Sequence, residues 1–218
     1  MTDTLDKIIE NAQTGHGPCS GCPAHADSGG QNVNPGLLNY DADLMFYTLD
    51  PSHSISWQQY DDWEEYNDEY ARKFANWRGG RRIQRMIAPL NLGLSDVWIG
   101  DTIKCPVDNS LRTLDTQSEI DQAAAQCSQY LVQEVEEVNP HAIVSMGEAT
   151  TQRLLKTVFD ITPGSLKTGT RDCGKIYNTD PPLLVSPHWS HGWLDRSPNG
   201  KPNLEIVQDA LLDTYPET

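Results

Sequence analysis

The apolar residues of the chain gather in a few short runs, set between longer polar stretches with a helical period. Asp43-Leu-Met-Phe-Tyr-Thr-Leu49, Val97-Trp-Ile-Gly-Asp-Thr-Ile103, Ala142-Ile-Val-Ser-Met146 and Leu183-Leu-Val-Ser186 are nearly continuous apolar runs, the pattern of strands buried on both faces. Between them the pattern predicts helices: a short one over 4–12, an acidic, aromatic one within 57–75, and one over 81–92 that breaks or ends near Pro89. The clearest helix follows Thr116-x-x-Glu119, which resembles a capping box. It carries Ile120, Ala124, Cys127, Leu131, Val135 and Val138 on one stripe and stops at Asn139-Pro140. Further helices are expected over 148–155 and from Asn203, read as a cap, to Leu212. Strands alternating with helices predict an α/β fold, a three-layer α/β/α sandwich around a mostly parallel four-stranded sheet. The expectation is a single domain over 1–218, with a loop-rich segment up to residue 40. Such sheets bind ligands outside the carboxyl ends of their strands. Asp50, His53, Asp101, His188 and His191 stand at three of those ends.

Composition narrows the setting. The apolar runs are far too short to span a membrane. Met1-Thr-Asp-Thr-Leu-Asp6 has neither the basic nor the apolar part of a secretion signal. A cytoplasmic monomer with no membrane partner is expected. The formal charge is −15, with 20 Asp against 7 Lys, and the acids are scattered. Such acidity argues against a polyanionic partner, unless it is an adaptation to a salty cytoplasm, where a Debye length of ~3 Å at molar salt screens it. We read it as the mark of a halophile, which gives local basic clusters more weight than net charge. One exists: Trp77-Arg78-Gly79-Gly80-Arg81-Arg82-Ile83-Gln84-Arg85. Backbone amides at a glycine pair leading into a helix suit a phosphate, and arginine pairs with phosphate oxygens. A solvated first helical turn is the competing reading.

The five cysteines, 19, 22, 105, 127 and 173, are odd in number, which argues against a disulfide framework. Cys19 and Cys22 form a C-x-x-C in the loop His16-Gly-Pro-Cys-Ser-Gly-Cys-Pro-Ala-His25, which can wrap a metal with two adjacent ligands. Two distant cysteines would complete a tetrathiolate site. A zinc site using His16 or His25 competes with it, and so does a C-x-x-C without metal.

In this order the motifs resemble the uracil-DNA glycosylase superfamily, nearest its iron–sulfur type, family 4. Val97-Trp-Ile-Gly-Asp-Thr-Ile-Lys-Cys105 resembles the family's "VYITNVVKC", and Val138-Asn-Pro-His-Ala-Ile-Val-Ser-Met-Gly147 resembles "IxPxIIVxLG". The resemblance runs over about residues 15–195. It implies removal of uracil or a related deaminated base from DNA, and a [4Fe–4S] cluster on Cys19, Cys22, Cys105 and Cys127 that leaves Cys173 out. The interval from Cys105 to Cys127 is longer than the family's and carries an insertion.

The active-site motifs depart from the pattern. Family 4 has Gly-Glu-Ala-Pro-Gly after the first strand, where this chain has Thr48-Leu49-Asp50-Pro51-Ser52. Leu49 cannot polarise water. Thr48-Leu-Asp-Pro-Ser-His53 instead resembles the "GQDPYH" of family-1 enzymes, which implies that Asp50, with His53 beside it, serves the attacking water and the cationic sugar. A plain Asp-Pro turn is the alternative. The family's uracil-reading asparagine is Asp101 here. An amide both donates and accepts, but an ionised carboxylate only accepts. Asp101 therefore suits an amino group better than O4, unless it is protonated in a dry pocket. The family's late "HPSYLLR" is matched by His188-Trp189-Ser190-His191, with His188 the donor to the leaving base and His191 the reserve. Phe74 matches the base-stacking phenylalanine, with Trp77 the alternative. Arg78, Arg81, Arg82 and Arg85 would grip DNA phosphates. Two other classes stay open: a non-catalytic glycosylase-fold module that binds DNA or a partner, and a zinc-stabilised nucleoside hydrolase.

Overall fold

Five strands form one sheet in the computed structural model: β1 (Leu44–Thr48), β2 (Val97–Asp101), β3 (Ala142–Met146), β4 (Ile176–Tyr177) and β5 (Leu183–Ser186). The described residues are 3–28, 33, 34, 36, 37, 39–49, 51, 59–107, 117–189, 192–198 and 200–215, without the side chains of 3, 5, 27 and 28. The strand order is β2-β1-β3-β5-β4. The first four are mutually parallel, and β4 runs antiparallel to β5 at the edge. The four expected strands are present. The fifth corrects the expectation: Ile176-Tyr177 between Lys175 and Asn178 is too short to register as alternation.

The helices are α1 (Asp3–Thr14), α2 (Pro23–Ser28), α3 (Trp63–Asn76), α4 (Arg78–Ile87), α5 (Gln117–Val138), α6 (Glu148–Thr157) and α7 (Asn203–Thr214). Strand parity assigns them to layers. Leu44, Phe46, Val97, Ile99, Val144 and Leu184 face α3, α4 and α7, whereas Met45, Tyr47, Trp98, Ile143 and Leu183 face α5 and α6. A third cluster lies beyond the end of β2 and contains Ile8, Ile103, Cys105, Val107, Cys127 and Tyr130. None of the helices among the described residues is long and apolar enough to cross a membrane.

Several boundaries move for physical reasons. The helix expected over 81–92 starts at Arg78, and Pro89 falls in a 3-10 turn, Ala88–Leu90, after it. Asn203 is not a cap: it is buried as the first residue of α7, and its Nδ2 donates to Gly169 O and Trp193 O, both at 2.9 Å. Thr116 lies outside the described residues, so the expected capping box does too. The stripe of α5 is wider than Ile120, Ala124, Cys127, Leu131, Val135 and Val138, because Ala123, Tyr130 and Glu134 are buried with it.

Glu134 is the exception on that apolar stripe. It is 1% exposed and meets Lys104, 2% exposed, with Nζ 2.7 and 2.8 Å from its two oxygens. Tyr47 OH donates to Glu134 Oε2 at 3.0 Å, and Lys104 Nζ also donates to Asp101 O at 2.8 Å. Burial pushes the Glu134 carboxyl up, against the opposing pull of Lys104 and the Tyr47 hydroxyl. Removing one charge should cost far more than removing both. Lys104→Met is expected to lower the unfolding free energy by about 3–5 kcal/mol, and Lys104→Met with Glu134→Leu to recover most of it. Urea denaturation at fixed salt checks this. Equal losses in the single and double variants would count against the pair.

Candidate active site

The chain leaves β1 for β2 on one side and later returns to β3 on the other, so the order reverses at the carboxyl end of β1. Ligands of open α/β sheets bind at such a reversal. Thr48 and Asp101 end adjacent strands in register, and the Thr48 hydroxyl donates to Asp101 Oδ1. Beyond them Thr102 N donates to Thr48 O and Ile103 N to Leu49 O, at 2.9 and 3.0 Å, which zips the rim shut below the turn. Asp101 shares the parity of Val97 and Ile99, so its carboxylate is on the α3 face, and it is 6% exposed.

Facing it, α3 presents an aromatic stripe: Tyr66, Tyr70 and Phe74, buried, and Trp77 at its end, half-buried. Tyr70 stacks on Phe74 with ring centres 5.6 Å apart. Burial pushes the Tyr66 and Tyr70 hydroxyls up, and the Asp101 charge pushes both further. Asn34 joins the pair. Its Oδ1 accepts from Gly36 N at 2.9 Å and from Tyr66 OH, and its own N–H donates to Lys104 O at 2.9 Å. Gly36 has φ +96°, and a Cβ there would stand 1.9 Å from Ile99 O, so only glycine brings this segment onto β2. Sequence reasoning missed Asn34, Tyr66 and Tyr70. Their one signal was the 66-70-74-77 aromatic spacing.

The stripe continues across the rim. Trp189 meets Phe74 edge-on at 5.6 Å, and His188 tilts against Trp189 at 5.5 Å. Phe74, 2% exposed, is thus covered rather than an open platform, and the half-buried rings are Trp77, His188 and Trp189. Two glycines at the start of α4 allow this closeness. A Cβ at Gly79 would stand 3.1 Å from the Trp189 indole, and one at Gly80 1.9 Å from Phe74 O. His188 packs over Gly147 and borders a cavity of about 380 Å³ lined by Gly147, Glu148, Lys167, Thr168, Thr170 and Trp193. Asp101 and His188 leave strands three places apart in the sheet, roughly 14 Å at about 4.8 Å per strand. Asp50, His53 and His191 lie outside the described residues.

The arginines divide. Arg78, Arg81 and Arg85 are exposed. Arg82 corrects the phosphate-gripping expectation: it is 4% exposed and its guanidinium is spent internally. Nη1 donates to Trp189 O and Nη2 to Asp195 Oδ2 at 2.5 Å, with Arg85 3.1 Å from Asp195 Oδ1. These bonds hold the Asp195 carboxyl below its usual range. Arg82 therefore fastens the loop that bears His188 onto α4.

Cys22, Cys105 and Cys127 are buried in the third cluster, with Cys19 packed against it. Burial, and then Cys22, push the Cys19 thiol to about 11. Burial pushes Cys127 to about 12, against the Lys104 backbone N–H that donates to its sulfur. Such sulfurs become thiolates only with a cation among them. Gln122 and Gln126 of α5 hold the Gly21 and Ser20 carbonyls, at 3.3 and 3.1 Å, and so dock the C-x-x-C loop. Among the described residues no three His, Cys, Asp or Glu side chains are arranged to hold an ion as they stand. Of the competing zinc ligands, His16 is exposed and His25 donates to Ala12 O at 2.8 Å. Cys173 lies elsewhere, against Asn203 O.

A family model described as the uracil DNA glycosylase superfamily matches residues 35–210. A protein of Archaeoglobus fulgidus named Type-4 uracil-DNA glycosylase is 25% identical over 178 residues, 82% of this chain and 75% of its own length. One of the same name from Thermotoga maritima is 26% identical over 145 residues, 66% of this chain and 64% of its own. A third, from Saccharolobus solfataricus, is 30% identical over 128 residues, 58% of this chain and 50% of its own. Those alignments thus take in half to three quarters of each relative's length. With most of its length inside the family match, the chain belongs to the uracil-DNA glycosylase superfamily.

Proposed function

We propose that this chain is a uracil-DNA glycosylase, which hydrolyses the bond between a deaminated base and its deoxyribose to begin base-excision repair. The reading rests on the family match, whose span takes in Thr48, Asp101 and His188. The relatives named as Type-4 uracil-DNA glycosylases support it. The target nucleotide is flipped from the duplex, and its base enters the crevice between Asp101 and His188. The Asp101 carboxylate accepts from uracil N3–H. As the N-glycosidic bond breaks, its electron pair moves onto the base, and His188 donates to the carbonyl that takes the charge. Asp50, with His53 in the same turn, stabilises the cationic sugar and takes a proton from the water that adds to it. Trp77, or Phe74 once Trp189 shifts, stacks on the base. Arg78, Arg81 and Arg85 meet phosphates.

Cys19, Cys22, Cys105 and Cys127 would hold a [4Fe–4S] cluster, their donor set being four soft sulfurs, three buried in one packed cluster and Cys19 half-buried against it. When bound, the cluster supplies a cross-link between the N-terminal loop, the turn after β2 and α5, rather than chemistry on the base. We further propose one domain, a monomer in the cytoplasm, in a saline cell.

Base release by anaerobic protein in molar KCl tests the function, with oligonucleotides carrying uracil, hypoxanthine, xanthine or cytosine and abasic sites read by alkaline cleavage. Uracil release is expected, and His188→Ala should slow it about 10²–10³-fold with DNA binding retained. Silence on every base, by folded and iron-loaded protein, would favour the non-catalytic module. Cofactor content is a separate check. The protein should carry iron and absorb broadly near ~400 nm, which colourless zinc does not. Cys127→Ser should lose both signals and Cys173→Ser neither. Salt dependence sorts the arginines: Arg81→Gln or Arg85→Gln should lower the slope of log affinity against log salt by about one. Arg82→Gln should leave that slope unchanged and destabilise the fold.

A further inference from the structure

The cavity of about 380 Å³ that His188 borders takes no part in the steps above. Gly147 and His188, just past β3 and β5, form one side of it, and the turn Lys167-Thr168-Gly169-Thr170 forms another, with Trp193. The turn is held from within. Asp172 Oδ2 accepts from Lys167 N at 2.7 Å, and Arg171 clamps the same carboxylate. Lys167 O accepts from Thr170 N and Asp172 N, at 3.0 and 3.1 Å. Buried Asn203 fastens the turn to the Trp193 segment by donating to Gly169 O and Trp193 O, at 2.9 Å each. Gly169 lets the Trp193 ring lie directly on it, because a Cβ there would stand 2.9 Å from that ring. The wall is therefore set before any ligand arrives.

Two groups of this wall are left over. Thr168 is 4% exposed and lines the cavity, and its hydroxyl has no hydrogen-bond partner among the described residues. A hydroxyl so buried is matched only by what enters the cavity. Lys167 also lines it, is exposed, and pairs with no carboxylate among the described residues. Arg196 lies over the Trp193 ring, 4.2 Å from its centre, and adds a second cation on that side. Asp172 is already spent inside the turn. Glu148 is the one acid on the cavity wall among the described residues, and it is exposed, so its carboxylate can stay in water. Two cations and an inward hydroxyl against one solvated carboxylate favour a ligand with negative charge and acceptor oxygens only. A phosphodiester has both.

We propose that this cavity is a phosphate site for the DNA strand that carries the target base. Lys167 donates from its ammonium and Thr168 from its hydroxyl to one phosphodiester beside the flipped nucleotide, with Arg196 at the edge. His188 borders the cavity and serves the base, so one nucleotide's base and its backbone are held on either side of the same ring. The site is distinct from the arginines of α4 and deepens the glycosylase reading, on which it rests.

The test removes one phosphate charge and one side chain, singly and together. Oligonucleotides carry 2′-fluorodeoxyuridine, whose fluorine disfavours the sugar cation and keeps the base attached. A neutral methylphosphonate replaces each linkage around the target in turn. Affinity at fixed salt is compared for wild type, Lys167→Gln, Thr168→Val and Arg81→Gln. At one linkage the methylphosphonate is expected to weaken wild type about tenfold, but Lys167→Gln and Thr168→Val less than about threefold. Arg81→Gln should keep the full loss at that linkage. Glu148→Gln should bind unmodified DNA more tightly than wild type and lose that gain at the same linkage. A Lys167→Gln variant that loses as much as wild type at every linkage would overturn the proposal, whether or not Thr168→Val folds. Uracil release from the unfluorinated oligonucleotide is followed alongside. Release without the Lys167 coupling would remove the site and keep the glycosylase, and coupling without release would do the reverse.

Discussion

A single buried cation joins the two working regions of the molecule. Lys104 gives its ammonium protons to Glu134 on α5 and to the carbonyl of Asp101 and its backbone N–H to the Cys127 sulfur, while its carbonyl accepts from Asn34 N. Tyr47 of β1 closes the group through Glu134. A lysine three residues beyond a strand would ordinarily reach for water. Here its ammonium lies against both carboxylate oxygens of Glu134 and one carbonyl, and a buried charge is tolerated only with such partners. The consequence is geometric. The cysteine cluster and the Asp101 rim cannot shift independently, since the same three-residue turn carries both. A cross-link through the cysteines would therefore stiffen the rim without touching a substrate.

The rim owes its chemistry to strand parity. Val97, Ile99 and Asp101 alternate onto one face, so whatever stands at position 101 must meet α3. That helix answers with four aromatic residues at successive turns, and the last of them lead to Trp189 and His188 across the sheet. Tyr66 and Tyr70 fill core volume with their rings, burial holds their hydroxyls protonated, and the Tyr66 hydroxyl donates to Asn34 Oδ1. Arg82 provides the matching constraint on the other side by tying the Trp189 carbonyl and Asp195 to α4. Gly79 is what allows that loop to lie so close, and Gly80 allows α4 to lie against Phe74 of α3.

Much of this was legible in the chain. The parallel strands read directly because burial on both faces leaves little room for polar residues, and β3 and β5 have the limits the apolar runs predicted. The cysteines and the His188 loop were visible as spacing. What stayed hidden was polar chemistry inside apolar elements. Glu134 and Lys104 interrupt hydrophobic patterns, and each makes sense only beside a partner 30 residues away in sequence. Arg82 sat in a run of arginines that reads as one basic surface, although helical geometry turns it inward between exposed Arg81 and Arg85. Asn34 carried no motif, because its function is to receive and give bonds from three separate segments.

Under the proposed function, so acidic a chain has to approach DNA at short range. Its charge of −15 opposes a polyanion at long range, but only where salt leaves the field unscreened. In molar salt the remaining attraction acts at contact, through hydrogen bonds whose geometry matters more than their number. Guanidinium groups suit that regime because their paired donors fit phosphate oxygens directly. Asp195 ties buried Arg82 and exposed Arg85 to the segment that follows His188. Under the proposed roles, phosphate contact by Arg85 and base contact by His188 would both be made from α4 and the loop docked on it. A protein that cannot rely on a broad positive field gains most from having its few cations fixed where the flipped nucleotide must enter.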